Sequence, residues 1–249
     1  MANYKGLFKI EGTLGEMTFY KSEDGYRVKA KSGVSKKRIE SDPAFARTRE
    51  NNQEFSNSAK AGKVLRHAII DILADAKDSK LASRLTKQMS IVKNADLTSI
   101  RGQRNPGVGI LTDPGKAALI GFDFNRNAIL SAVLLSDYSL DDATGVIDIP
   151  GFIPANRLSV PEGATHVTLS SGMLNLNLEN SEKDFQLSNL VNLPINNVET
   201  DVVLTPTALA TGSGQNYFFI KVAFFQEING VQYPLRNGAF NALKLLNVV

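Results

Sequence analysis

The sequence contains no cysteine, which excludes disulfides, thiolate nucleophiles, thiolate-bound metals and iron–sulfur clusters together. Tryptophan is also absent, and histidine occurs only as His67 and His166. Two imidazoles leave little material for a polyhistidine metal centre within one chain. Long hydrophobic runs are missing too. The longest apolar cluster, 128–135, is strand-sized and falls well short of the ~18 residues that span a bilayer. The opening stretch, Met-Ala-Asn-Tyr-Lys-Gly-Leu-Phe-Lys-Ile, has interspersed charges and no apolar run, unlike a secretory signal. The expectation is a protein that is cytoplasmic as synthesised, with release by lysis or a dedicated exporter left open.

What is present is an ordinary globular composition. Of 249 residues, 43% are hydrophobic and 21% charged, enough for a sizeable core in one large domain or two small ones. The net charge of +3 hides an uneven distribution. Residues 1–104 hold 21 Lys and Arg against 12 Asp and Glu, and 105–249 hold 7 against 13. The balances are +9 and −6, a basic part joined to an acidic one. Three readings compete. The basic part binds nucleic acid or another anionic surface; the basic part of one subunit meets the acidic part of the next; or both are simply solvated. Self-association is preferred over nucleic acid, because a nucleic-acid binder has no need of a large acidic portion.

Residues 4–34 read as a β-meander, with the Asp24-Gly25 pair between alternating segments as a hairpin signal. Tyr26, Val28 and Ala30 alternate there with the cations Arg27, Lys29 and Lys31. The region 41–78 is expected to be helical. Ser41-Asp42 supplies the cap and Pro43 suits the first helical position. Its early part is polar, anchored by Phe45, Phe55 and Ala59, and its later part carries a stripe of Val64, Leu65, Ala68, Ile69, Ile72 and Leu73. A second helix is expected over 79–93, with Leu81, Leu85, Met89 and Val92 on one face, so the pair forms a helical hairpin. The glycine- and proline-rich 101–117 reads as a linker. Beyond 118 the pattern is β: candidate strands are 119–124, 128–135, 145–149, 166–170, 174–178, 185–190, 200–204, 217–227, 231–235 and 242–248. Asn229-Gly230 is the strongest hairpin signal in the chain. Short strands at such spacing predict two packed antiparallel sheets.

Candidate chemistry is sparse. The glycines of 102–109 invite a phosphate-loop reading, but the Gly-Lys-Ser/Thr ending and a preceding buried strand are missing. Arg101 and Arg104 remain candidates to meet an anion or a neighbouring subunit's carboxylate. Asp137, Asp141 and Asp142 crowd one stretch with oxygen ligands of the kind calcium takes, yet not in EF-hand spacing, and Asp-rich turns are common between strands. His67 beside Arg66 and His166 on a strand read as structural or surface histidines, without a nucleophile-elbow sequence for either to serve. The helix bearing Arg47, Arg49, Lys60, Lys63 and Arg66 is the best nucleic-acid candidate, but Glu50 and Glu54 dilute it and no recognised DNA- or RNA-binding signature accompanies it. A helix polar nearly all round sits in solvent or under another chain.

The segments Gly12-Thr13-Leu14-Gly15, Phe19-Tyr20-Lys21-Ser22, Asp24-Gly25-Tyr26, Asp42-Pro43-Ala44-Phe45, Arg47-Thr48-Arg49-Glu50-Asn51 and Ala59-Lys60-Ala61-Gly62-Lys63 resemble an uncharacterised family of Bacteroidota proteins. The resemblance covers about residues 6–105 and the β-rich remainder only loosely. It implies no activity and no catalytic residues. Its glycines, aromatics and polar groups suit an interface better than an active site.

The sequence therefore predicts an α+β protein: a basic β-meander and helical module over 1–104, a linker over 105–117, and an acidic antiparallel β-sandwich, Ig-like or jelly-roll-like, over 118–249. The expected function is non-enzymatic, a subunit that self-assembles into a ring, tube or filament of phage-like or appendage-like kind. Phe45, Arg47, Arg49, Phe55, Arg101, Arg104, Tyr20 and Tyr26 are the expected interface residues. No catalytic, cofactor-binding or metal-binding residue is assigned, and no small-molecule substrate. The rivals are a β-sandwich module that binds carbohydrate or protein, and a basic nucleic-acid-associated protein.

Overall fold

The computed structural model describes residues 2, 3, 6, 9–30 and 34–249. Leu7 and Phe8 of the expected meander, and Lys31 of its cation row, lie outside the described residues. The chain divides into two compact units, Met1–Gln53 and Glu54–Val249. It is a mixed α+β protein, mostly sheet, and among the described residues no helix is long and apolar enough to cross a membrane.

The first unit contains β1 (Ala2–Asn3), β2 (Gly12–Leu14), β3 (Met17–Ser22) and β4 (Gly25–Ala30), hydrogen-bonded as an antiparallel sheet in the order β1-β4-β3-β2. The expected Asp24-Gly25 turn joins β3 to β4, with Ser22 opposite Gly25. The register puts Leu14, Met17, Phe19, Tyr26, Val28 and Ala30 on one face with Lys21 at its edge, and Thr13, Thr18, Tyr20, Arg27 and Lys29 on the other. A short helix that the sequence pattern did not suggest follows, α1 (Lys36–Ser41), capped by the Ser35 hydroxyl accepting from the Arg38 N–H. Asp42 then caps a 3-10 turn over Pro43–Phe45 through the Ala44 N–H, and α2 (Ala46–Ala68) begins. No described residue of this unit is buried. A sheet with one apolar face and nothing buried on it is an incomplete layer.

The second unit continues through α2 to α3 (Ile70–Leu73), α4 (Leu81–Asn94), α5 (Pro106–Gly109), α6 (Asp113–Leu119) and α7 (Leu130–Val133). Then come β5 (Ser139–Leu140), β6 (Ile147–Phe152), α8 (Pro154–Arg157), β7 (His166–Leu176), β8 (Lys183–Leu187), β9 (Val191–Pro194), β10 (Thr200–Leu204), β11 (Gln215–Ile228), β12 (Val231–Pro234), a 3-10 turn over Leu235–Gly238, and β13 (Ala242–Val248). Long β7 and β11 pair antiparallel along their length. β8 and β9 pair with successive stretches of β7, and β13 and β12 do the same on β11, which makes a six-stranded sheet. A three-stranded sheet, β10-β6-β5, stands beside it.

Both faces of the large sheet are covered. Leu174, Leu176, Tyr217, Phe219, Leu243 and Leu245 pack into one cluster with Leu65, Ile69, Leu85, Met89 and Val92 of the helical region. Val167, Leu169, Ile220, Val222 and Phe224 pack into a second with Ile147, Ile149, Val202 and Leu204 of the small sheet. The unbroken apolar run Tyr217-Phe218-Phe219-Ile220 follows from this, since Tyr217 and Phe219 enter the first cluster, Ile220 the second, and Phe218 a small one with Met173 and Ala210. Burying each such side chain contributes roughly 1.5–3 kcal/mol.

Several expectations change. The two strands expected at 166–170 and 174–178 are one strand, and Gly172 between them is an interior position over which the Phe185 ring packs. The expected strand 119–124 ends a helix at Leu119, and the following residues bond to β13 through Gly121, Phe122 and Phe124 without forming a strand. The expected strand 128–135 contains the helical turn α7, since short apolar runs do not distinguish strand from helix. β9 and α8 were not anticipated. Residues 105–117, expected as a linker, hold α5 and α6, and the glycines there are buried, Gly109 and Gly115 under close backbone and Gly107 under the Glu179 side chain. The unit boundary falls instead at Gln53 and Glu54. The strands expected at 200–204 and 242–248 are found as read. So is the Asn229-Gly230 turn, whose residues have φ of 52° and 78° and join Ile228 to Val231 as a primed hairpin requires.

Candidate functional site

Helix α2 carries Asn57, Ala61, Val64 and Ala68 along one side, at spacings of three, four and seven, which a 3.6-residue repeat brings together. These residues form one wall of a cleft of about 670 Å³. The start of α5, Asn105-Pro106-Gly107, and the turn between β7 and β8, Leu178 to Lys183, form the rest. Lys60, Lys63 and His67 line it from α2, and Lys183 lines it from the opposite side. The Lys183 ammonium donates to the His67 carbonyl at 3.3 Å.

The β7–β8 turn is fixed by its own side chains. The Asn177 Oδ1 accepts from the Glu179 N–H, the Asn180 Oδ1 accepts from the Glu182 N–H, and Ser181 takes a φ of 64°. Glu179 then lies over Gly107, where a Cβ would come within 2.5 Å of its Cγ.

The α5 wall is held by two buried carboxylates. Glu54, 6% exposed, receives the Lys93 ammonium at 2.6 Å and the Gly102 N–H at 2.8 Å. The hydrogen bond from Lys93 lowers its pKa against the opposing effect of burial. Asp96 is fully buried and accepts from the N–H groups of Thr98, Ser99 and Asn105 and from the Thr98 hydroxyl. Burial pushes its carboxyl up, but these donors together hold it down at about 2, against an ordinary 3.8. A carboxylate depressed in the folded state contributes stability that is present above its unfolded pKa and lost as pH falls through its folded one. For Asp96 that window runs from about pH 4 to about pH 2 and carries on the order of 2 kcal/mol. Acid titration followed by amide exchange should therefore show the 96–105 segment losing protection in this window. In Asp96→Asn the acid loss should shrink. An unchanged titration in that variant would remove Asp96 as its cause.

The eight residues expected at an interface fall into separate groups. Tyr20 and Tyr26 lie on opposite faces of the N-terminal sheet, with Lys29 over the Tyr20 ring at 5.7 Å and Lys9 over Tyr26 at 5.0 Å. Phe45 sits under the Arg38 guanidinium at 5.6 Å. Arg47 is exposed, whereas Arg49 donates to the carbonyls of Ile39 and Asp42 at 2.8 and 2.9 Å and so holds the α1 end in place. Phe55 is 62% exposed on α2. Arg101 is exposed, and the Arg104 carbonyl accepts from the Asn57 amide.

Asp141 is occupied by its own turn, accepting from the Ala143 N–H and the Thr144 hydroxyl, and Asp142 accepts from Asn247. Among the described residues no group of His, Asp and Glu is arranged to hold a metal. His166 pairs with Thr165 and Glu227 at a strand end. The sequence reading noted Lys60, Lys63 and His67 but missed Glu54, Asn57, Asp96, Glu179 and Lys183 as partners of one site. They lie up to 129 positions apart, and no local pattern connects them.

Comparison with family models, with curated proteins and with solved structures finds no match to this chain.

Proposed function

We propose that the protein is a non-catalytic structural subunit that self-associates, the N-terminal unit of one copy docking on the acidic β-rich part of the next. The observation that carries this reading is the incomplete first unit. Its sheet gathers Leu14, Met17, Phe19 and Val28 on one face, yet none is buried, and Leu14 and Met17 are 69% and 54% exposed. Sheets of this size need cover to be stable. Charge favours the pairing, since residues 1–53 hold 11 Lys and Arg against 7 Asp and Glu, a balance of +4, and residues 105–249 of an identical copy hold −6. A matching acidic surface is the outward side of the small sheet, where Asp148 pairs with Val203 and Glu199 and Asp201 lie nearby in sequence. Contact between unlike surfaces is heterologous, and such contacts close into rings or run on as filaments. The shared cluster between the two sheets of the second unit supports reading it as a β-sandwich whose other side is covered by helices, a departure from the immunoglobulin and jelly-roll pattern.

Light scattering and negative-stain imaging of the full chain test the reading. Regular particles well above 27.0 kDa are expected, looser at high salt. Leu14→Lys with Met17→Lys, and separately Arg47→Glu, should reduce particle mass without lowering the melting temperature of the second unit. Arg49 is unsuitable, because its guanidinium is engaged inside its own unit. A 27.0 kDa monomer at every salt and concentration would overturn the proposal.

A further inference from the structure

Independently of self-association, we infer that the cleft between α2, α5 and the β7–β8 turn binds a small organic oxyanion, a phosphate or carboxylate carried on an apolar body. Its size is that of a small-molecule site, within the usual ~300–1,000 Å³. Ala61, Val64, Ala68, Pro106 and Leu178 provide the apolar surface such a body needs. Lys60, Lys63 and Lys183 surround that surface, and among the described residues none of them forms an ion pair with a carboxylate. Three ammonium groups without a carboxylate partner around an apolar floor raise the local concentration of anions.

The walls are already set for a ligand. Glu54 and Asp96 fix the segment leading into α5, and the Asn177 and Asn180 side chains fix the opposing turn, so binding has little loop to order. The Asn105 amide nitrogen and the Ser181 hydroxyl supply orienting polar groups. Glu179 is the one carboxylate on the lining. It opposes the charge of the bound anion and gives the inference a test of opposite sign.

Octyl phosphate is the probe, titrated calorimetrically into the full-length protein below its micellar concentration, with octanoate, inorganic phosphate and octyl glucoside as comparisons. One saturable site is expected for octyl phosphate and for octanoate, weaker binding of inorganic phosphate, and none of the neutral glucoside. Comparing the first two separates a phosphate preference from a general oxyanion site. Lys60→Gln with Lys63→Gln should weaken octyl phosphate binding about five- to tenfold, and Glu179→Gln should strengthen it about two- to fivefold. All three side chains are exposed, so melting temperatures should not move. Absence of saturable binding, equal binding of the glucoside, or affinities unmoved by both sets of variants would each overturn the inference.

Discussion

Gly109→Ala is expected to destabilise the second unit by about 3 kcal/mol or more and to lower its melting temperature by about 6–12 °C. A Cβ at Gly109 would stand 2.1 Å from the Val92 carbonyl oxygen and 2.9 Å from its carbon. Neither can yield cheaply. Val92 is fully buried in α4, and its carbonyl accepts from the Ala95 N–H at the helix end. The carbonyl of Gly109 in turn lies 1.9 Å from where a Cβ of Gly115 would be, so α4, α5 and α6 meet through backbone in succession. Relieving the clash means moving α5 off α4, which opens the cluster around Val92, Ile110 and Leu119. Gly230→Ala is the control. Its turn needs a φ of 78° but has open space around it, so about 1 kcal/mol is expected. Thermal unfolding of both variants decides the matter, and a Gly109→Ala protein no less stable than Gly230→Ala would contradict the packing described.

The same residues explain what the sequence could and could not disclose. Asn229-Gly230, the cap at Asp42 and the apolar faces of α2 and α4 are local signals, because turn geometry, capping and helical periodicity each act within a few residues. The glycines of 102–115 send a local signal as well, but an ambiguous one. Glycine suits a flexible connector and a close backbone contact equally, and only the position of Val92 distinguishes them. Gly172, between the two strands expected there, is a similar case, since the Phe185 ring that packs over it lies on the next strand. The cleft was illegible for a related reason. Lys60 and Lys63 read as part of a diluted basic helix, and nothing near them in the chain announces Glu179 or Lys183 across the gap.

Glu54→Ala is expected to cost about 3–5 kcal/mol, because it strands the Lys93 ammonium in a site where that side chain is only 15% exposed. The polar position of Glu54 in an otherwise solvated helix start reads as one more surface charge. Its burial gives it two obligations, to Lys93 of α4 and to the Gly102 N–H of the segment before α5. Double variants separate them. Glu54→Leu with Lys93→Met removes both charges and restores part of the loss, since apolar replacement of a buried pair is often near neutral, but it leaves the Gly102 N–H without an acceptor at a cost of about 1–3 kcal/mol. Glu54→Gln with Lys93→Met keeps that acceptor and should recover most of the stability. Urea unfolding is expected to rank Glu54→Ala lowest, the leucine double variant next and the glutamine double variant highest. Equal stability of the two double variants would mean that Gly102 is not a distinct obligation. Because Gly102 leads directly to Asn105 and Pro106, the leucine variant should also loosen that wall of the cleft, seen as faster amide exchange over 102–107 at a pH where Asp96 remains charged.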